Sequence, residues 1–395
     1  MHTANQCTLE VAVLAELDVS QRDFAEAVRA FARKHLAEGA LARAHDPEVP
    51  WDVARLLAEY GLLGLTVPEE DGGQGGSLLD AVIAIQEVGQ VCPKSADLVQ
   101  AGNFGPLRTF AEYATPEQKQ RWLPDLLAGR ALISLGMSEA EAGSAATDLT
   151  TTAAPDGDGY RIDGGKLWGT HSVDANLFLV YVRYGPGVGG IGSVLVERGT
   201  PGFTVGPASE YMSGERWAPL HFDGCRIPQE NVLLGAGGFK KQISGFNVER
   251  LGNAARSLAV GRLAFERAKT HLLDREQFGR PLAEFQGLQW KVAEVAVALE
   301  SAQLLLHRAA QPPAAELPNA YATSMAKLAA NEAGFKAANE AMQMMGAMGY
   351  SREELVEYCL RRTRGWMIAG GSLEMLKNRI AEEVLGRRFS QRPPR

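Results

Sequence analysis

Apolar residues recur every three or four positions over residues 20–129, alternate or run together in short stretches over 131–238, and return to the longer spacing from 239 to 386. The outer textures predict helices with one buried face. The middle one predicts strands, whose side chains alternate between the two sides of a sheet. In the first region Phe24, Val28, Phe31 and Ala32 share a face behind Ser20 and Asp23. A second helix over 53–60 stops at Gly61, residues 64–68 read as extended into the glycine-rich 71–76, and helical spacing resumes over 78–88. Pro116, Glu117 and Gln118 suit the first turn of a helix ending near Gly129. Strands are expected over 131–135, over 160–163 behind the turn 156–159, and over 177–182, 191–196, 203–205 and 220–227. In the last region Leu251, Ala254, Leu258, Phe265 and Leu272 form one stripe, and Val292, Val295, Leu299 and Leu306 another. A Pro/Ala-rich connector, 311–318, precedes a helix over 319–345, and a final helix starts near Ser372 and ends at Gly386. The expected class is α+β, mostly α: a helical domain over 1–130, an antiparallel β domain over 131–238 and a C-terminal four-helix bundle over 239–395.

Composition narrows the function without naming it. The 395 residues are 46% hydrophobic and 22% charged, ordinary for a globular protein. A net charge of -7 argues against binding a phosphate backbone, and the basic tail Arg387, Arg388, Arg392 and Arg395 reads as a solvated terminus. The apolar segment 11–17 is broken by Glu16 and has no basic stretch before it, so no signal peptide is expected. No apolar run approaches the ~20 residues of a membrane-spanning helix. Cys7, Cys92, Cys225 and Cys359 are scattered without a C-x-x-C pair, which gives no metal site and fits a reducing, cytoplasmic setting. Met342, Met344, Met345 and Met348 read as core packing.

Three short texts carry chemistry. Residues 136–145, GMSEAEAGSA, follow a strand and replace bulk with small residues that let a backbone approach something flat, while Ser138 and Ser144 offer hydroxyls. Taken alone this is an ordinary Ser/Gly/Ala loop. In 166–170, KLWGT, an indole stands two positions from a hydroxyl; alone, it reads as a core tryptophan. In 274–286, DREQFGRPLAEFQ, Arg275 alone reads as a solvated charge. A fourth text, 187–192, GVGGIG, satisfies G-x-G-x-x-G but opens a strand where a dinucleotide site needs a helix, and is rejected.

Together these texts resemble the acyl-CoA dehydrogenase family. The first is similar to its signature M-[ST]-E-P-x-A-G-S-D through Met137, Ser138, Glu139, Ala142, Gly143 and Ser144, with Ala140 and Ala145 departing. The second is similar to K-x-W-[IV]-[ST], with Gly169 departing, and the third to R-x-Q-F-G-x-P-L-x-x-[FY]-Q. Gln343 and Gly346 resemble the start of Q-x-x-G-G-x-G-[FY], with Ala347 departing. Residues 64–76 and 116–129 resemble the family's N-terminal domain.

The resemblance implies the acyl-CoA dehydrogenase fold and FAD, held by Met137, Ser138, Trp168 against the flavin and Thr170 at its N5. Arg275 on the pyrophosphate, Gln277, Phe278, Gln286, Gln343 and Gly346 would reach FAD bound mainly by a neighbouring subunit, giving a homodimer or homotetramer. It further implies α,β-dehydrogenation of an acyl-CoA, as in fatty acid or amino acid catabolism, with electrons passed to an electron-transfer flavoprotein.

Most family members carry their base in Y-E-G-T-S-E. Counting back from Arg379 puts Gly370 at the glutamate position, and Glu374 falls inside the first turn of the last helix, where a carboxylate suits the helix dipole anyway. A branch that includes isovaleryl-CoA and long-chain acyl-CoA dehydrogenases places the base just before an arginine, as Glu249 stands before Arg250. The bland alternative is a surface pair of glutamate and arginine. By this resemblance Glu249 is the base, the Gly370 N–H binds the thioester carbonyl, and Ser144, Phe246 and Arg250 contact the substrate. The glycine leaves room for a branched or bulky acyl group. Other readings are a desulfinase or N-hydroxylase relative, a non-catalytic partner subunit of a mixed tetramer, and a DNA-binding superfamily member.

Overall fold

The structure, a computed structural model, describes residues 17–312 and 318–390. Among the described residues seven helices come first: α1 (Val19–His35), α2 (Ala40–His45), α3 (Trp51–Glu59), α4 (Leu78–Gly89), α5 (Pro93–Ala101), α6 (Gly105–Tyr113) and α7 (Pro116–Leu127). α1 starts earlier than the periodicity predicts. Asp18 accepts the N–H of Gln21, whose side chain returns to the Asp18 backbone, and this closes the helix end. Thr115 and Gln118 form the same box ahead of α7. Residues 64–68 are a turn, not an extended segment: the Gly64 carbonyl accepts from the N–H groups of both Val67 and Gln74, a fold-back permitted by φ +72 at Gly64.

Ten strands follow: β1 (Ile133–Gly136), β2 (Thr152–Asp156), β3 (Gly159–Lys166), β4 (Leu177–Arg183), β5 (Ile191–Glu197), β6 (Phe203–Val205), β7 (Ser209–Glu210), β8 (Arg216–Trp217), β9 (Leu220–Pro228) and β10 (Val232–Leu234). The main sheet runs β10-β5-β4-β2-β3-β9-β6, with β1 added on β4. It is largely antiparallel, but β1 pairs with β4 in parallel and β2 meets β4 in parallel at Thr152 and Arg183. Parallel pairing leaves no hairpin signal in sequence.

The C-terminal stretch holds α8 (Phe239–Asp274), a hairpin of β11 (Glu276–Gln277) and β12 (Arg280–Pro281), then α9 (Gln286–Ala310), α10 (Ala320–Met345), α11 (Ala347–Tyr350), α12 (Leu355–Trp366) and α13 (Leu373–Val384). The four expected long helices are α8, α9, α10 and α13. α12 is additional, its apolar spacing broken by Arg361, Arg362 and Arg364, yet Arg362 is buried with its guanidinium 4.9 Å from the Trp366 ring.

The fold divides into two compact units: one of described residues up to Ala44, Val82–Ala96 and those from Arg250 on, the other of His45–Ala81 and Asp97–Glu249. In the second, alternate residues of β4 feed two cores. Leu177, Leu179 and Tyr181 join Phe110, Trp122 and Leu123 from the helices, while Phe178, Val180 and Val182 join Phe203 and Phe222. A strand buried on both faces reads as a continuous apolar run, as β4 does. In the first unit α10 packs against α9, α12 and α13. It meets α8 through glycines, where a Cβ on Gly261 would lie 2.7 Å from the Gly334 Cα.

Among the described residues the fold is mostly helical, no helix is long and apolar enough to cross a membrane, and no cluster of His, Cys, Asp and Glu could hold a metal. Met344 and Met345 are buried as expected, but Met348 is 56% exposed because it follows the break in α10 at Gly346. Cys92, Cys225 and Cys359 are buried thiols; Cys7, most of 11–17 and the last tail arginines lie outside the described residues.

Candidate functional site

In the unit holding the sheet, β1 runs out into Met137 and Ser138. The N–H of Leu167 donates to the Ser138 carbonyl at 2.9 Å, and Lys166 Nζ donates to the Met137 carbonyl at 3.3 Å and to Glu139 Oε1 at 2.7 Å. Glu139 is 8% exposed and also accepts from the N–H and hydroxyl groups of Thr150 and Thr151. Burial pushes its pKa up, but the Lys166 charge and these donors outweigh it and hold the carboxyl at about 2. Burial likewise draws the Lys166 ammonium down, opposed by Glu139. The first two sequence texts are thereby fastened to each other.

Trp168 follows at φ 64, a left-handed conformation rarely held by a bulky residue, and is 52% exposed. Its ring lies 4.1 Å from that of Trp217 and 6.3 Å from that of Tyr211, so the β7–β8 hairpin supports it. It is thus a presented indole rather than a core one. Thr170 is exposed, its carbonyl accepting from Ser134 Oγ at 2.7 Å. Ser144 is exposed beside Gly143, where a Cβ would meet nothing within 4 Å.

Glu249 closes this unit. It is half-buried, and its Oε2 accepts from Gln100 Nε2 at 2.6 Å. Gly105 makes room for it, since a Cβ there would lie 3.1 Å from Glu249 Oε2, while one on Gly245 would lie 2.4 Å from Thr109 Oγ1. Phe246 packs against the core that contains Leu107 and Phe110.

In the helical unit, Arg250 donates to Ser324 Oγ at 3.3 Å, and burial, reinforced by Arg379, draws its pKa down to about 10. Gly370 and Gly371 sit at φ +71 and +93 in the turn ahead of α13. Buried Lys327 donates to the carbonyls of Ala369 and Gly371, each at 2.7 Å. Arg275, Gln277 and Phe278 are exposed on the β11–β12 hairpin, with Phe278 at φ 54 and 95% exposed. Gln286 is exposed at the start of α9, and Gln343 and Gly346 are exposed at the end of α10.

Family profiles match along nearly the whole chain: acyl-CoA dehydrogenase N-terminal domain over residues 18–130, middle domain over 134–225 and C-terminal domain over 236–385. The chain belongs to the acyl-CoA dehydrogenase family. It is 34% identical over 386 residues to a 3-sulfinopropanoyl-CoA desulfinase of Paraburkholderia xenovorans, covering 95% of this chain and 99% of the relative. It is 32% identical over 364 residues to an acyl-CoA dehydrogenase of Bacillus subtilis, covering 91% and 96%. Among solved structures, a glutaryl-CoA dehydrogenase from Mycobacterium smegmatis in complex with FADH2 is similar with a TM-score of 0.89 at 25% identity, covering 95% of this chain and 97% of that one.

Within this family fold four residues had no assigned role in the sequence. Glu139 and Lys166 stand inside recognisable texts, yet only the fold shows them as one buried ion pair. Gln100 and Lys327 carried no signal, since a polar residue inside a helix usually faces water.

Proposed function

We propose that this chain is a FAD-dependent acyl-CoA dehydrogenase with Glu249 as its base. The observation that carries the reading is the half-buried Glu249 carboxylate held by Gln100, in a chain with Gly370 at the usual base position. A half-buried carboxylate held in place by a side-chain donor is suited to take the α-proton of an acyl thioester. The Gly370 N–H binds the thioester carbonyl, where negative charge develops as the proton leaves. Ser144, Phe246 and Arg250 contact the substrate, and the absent side chain at 370 leaves room for a branched or bulky acyl group.

The residues fit a flat cofactor: an exposed indole at positive φ stands two positions before the exposed Thr170, and the residue before the indole, Leu167, is bonded to the Ser138 carbonyl. FAD, when bound, supplies the hydride acceptor. Met137, Ser138, Trp168 and Thr170 would hold its flavin. Arg275, whose planar guanidinium suits a pyrophosphate, would act with Gln277, Phe278, Gln286, Gln343 and Gly346 on FAD of a neighbouring subunit. The exposed Phe278 and the apolar residues Trp290, Val297 and Leu304, exposed on α9 at seven-residue spacing, support a homodimer or homotetramer. An electron-transfer flavoprotein is the proposed electron acceptor and the cytoplasm the proposed setting.

Anaerobic titration of the purified protein with straight-chain, branched and aromatic acyl-CoAs tests this reading. Bleaching by one class supports it and names that class. A desulfinase is the second reading, favoured by the relative from Paraburkholderia; release of sulfite from 3-sulfinopropanoyl-CoA, with no bleaching by any saturated acyl-CoA, would establish it instead.

A further inference from the structure

We infer that Lys327 is a positioning residue that aims the Gly370 N–H at the acyl thioester by holding the carbonyls on both sides of it. The inference rests on the dehydrogenase reading for the identity of the ligand, and on the helical unit alone for its geometry.

Lys327 is fully buried on α10, among small residues where an apolar side chain would pack at no polar cost. Its Nζ donates at 2.7 Å to the Ala369 carbonyl and at 2.7 Å to the Gly371 carbonyl, on either side of Gly370. Asn253 Nδ2 reaches the same Ala369 oxygen at 3.4 Å, and Asn331 Nδ2, donating to Asn253 Oδ1 at 2.9 Å, keeps that amide oriented. No peptide bond here is cis. A trans peptide is planar, with its C=O and N–H on opposite sides. Drawing the Ala369 carbonyl onto Lys327 therefore turns the Gly370 N–H away from α10. Among the described residues that N–H donates to no acceptor.

The glycine is explained by conformation rather than space. A Cβ at 370 would stand 3.8 Å from both Asn253 Nδ2 and Lys327 Cε, ordinary contact distances. Two successive residues at φ +71 and +93, however, form a turn that glycine reaches easily and does not hold by itself. Lys327 supplies the restraint. An amide whose carbonyl accepts a strong donor is polarised, so its N–H becomes a better donor in turn. The clamp thus both orients and strengthens the group facing the thioester oxygen.

The test uses acetoacetyl-CoA, whose α-carbon ionises without being dehydrogenated, bound to the FAD-loaded enzyme and followed by enolate absorbance against pH. In Lys327→Met the bound enolate should form at least about one pH unit higher, a tenfold loss of enolate stabilisation, while CoA affinity and FAD content stay at the wild-type level. Flavin reduction by the best acyl-CoA should fall about tenfold in kcat with KM little changed. An unshifted enolate titration in folded Lys327→Met overturns the inference, as does a loss of enolate and CoA binding in equal measure. If Lys327→Met does not fold, Asn253→Ala must shift the enolate titration in the same direction by a smaller amount, and no shift there overturns it. Failure of the dehydrogenase reading is distinguishable: no saturated acyl-CoA would bleach the wild-type flavin, whatever the enolate titration gives.

Discussion

Two buried lysines, one in each unit, fasten main chain in different ways. Lys166 donates to the Met137 carbonyl and meets the Glu139 carboxylate at 2.7 Å, whereas Lys327 spans the carbonyls of Ala369 and Gly371. The first contact is an ion pair inside a polar cluster, whose removal leaves a stranded charge. The second is a pair of hydrogen bonds to neutral acceptors that acid cannot titrate. The same side chain is thus used for anchorage in the sheet unit and for aim in the helical unit.

The largest expected effect is Lys166→Met. Glu139 would remain buried beside the two threonines without its cation, and chemical denaturation should show a loss of ~3–5 kcal/mol. Lys327→Met should cost less, about 1–3 kcal/mol, because Asn253 still reaches the Ala369 carbonyl and only that of Gly371 is left unpaired. A larger loss at 327 than at 166 would break the comparison. Acid sharpens it. The Glu139 carboxyl is held at about 2 in the fold against an ordinary 4.5, so its contribution is present above about 4.5 and is lost as pH falls through about 2. Glu139→Gln should flatten that part of the acid denaturation profile, and Lys327→Met should leave it in place. The smallest effect is expected at Trp217→Leu, which removes the ring under Trp168 and should cost about 0.5–1.5 kcal/mol beyond lost area, read by unfolding and by Trp168 fluorescence.

Sequence made much of this legible. The continuous apolar run of β4 and the stripes on α8 and α9 mark their elements because burial imposes period on sequence, whereas the KLWGT text marks Trp168 only through its likeness to a family motif. What stayed hidden depends on contacts between distant residues. The parallel pairing of β1 with β4 joins Ile133 to Leu177, and no local pattern records a partner 44 residues away. Gln100 lies 149 residues before Glu249, so the bond that makes this glutamate more than a surface charge becomes visible only in three dimensions. The turn at 64–68 reads as extended in sequence because Thr66 and Val67 favour strands, while Gly64 on the same stretch lets the chain fold back.

The central proposal is that Glu249 serves as the base in a chain that has glycine at position 370. The direct measurement is rapid anaerobic mixing of wild-type and Glu249→Gln protein with the acyl-CoA that best bleaches the wild-type flavin. The account predicts a variant that keeps its FAD and binds the ligand, but whose flavin reduction is slower by a factor of ~10²–10⁴. A Glu249→Gln protein reduced at the wild-type rate would contradict it.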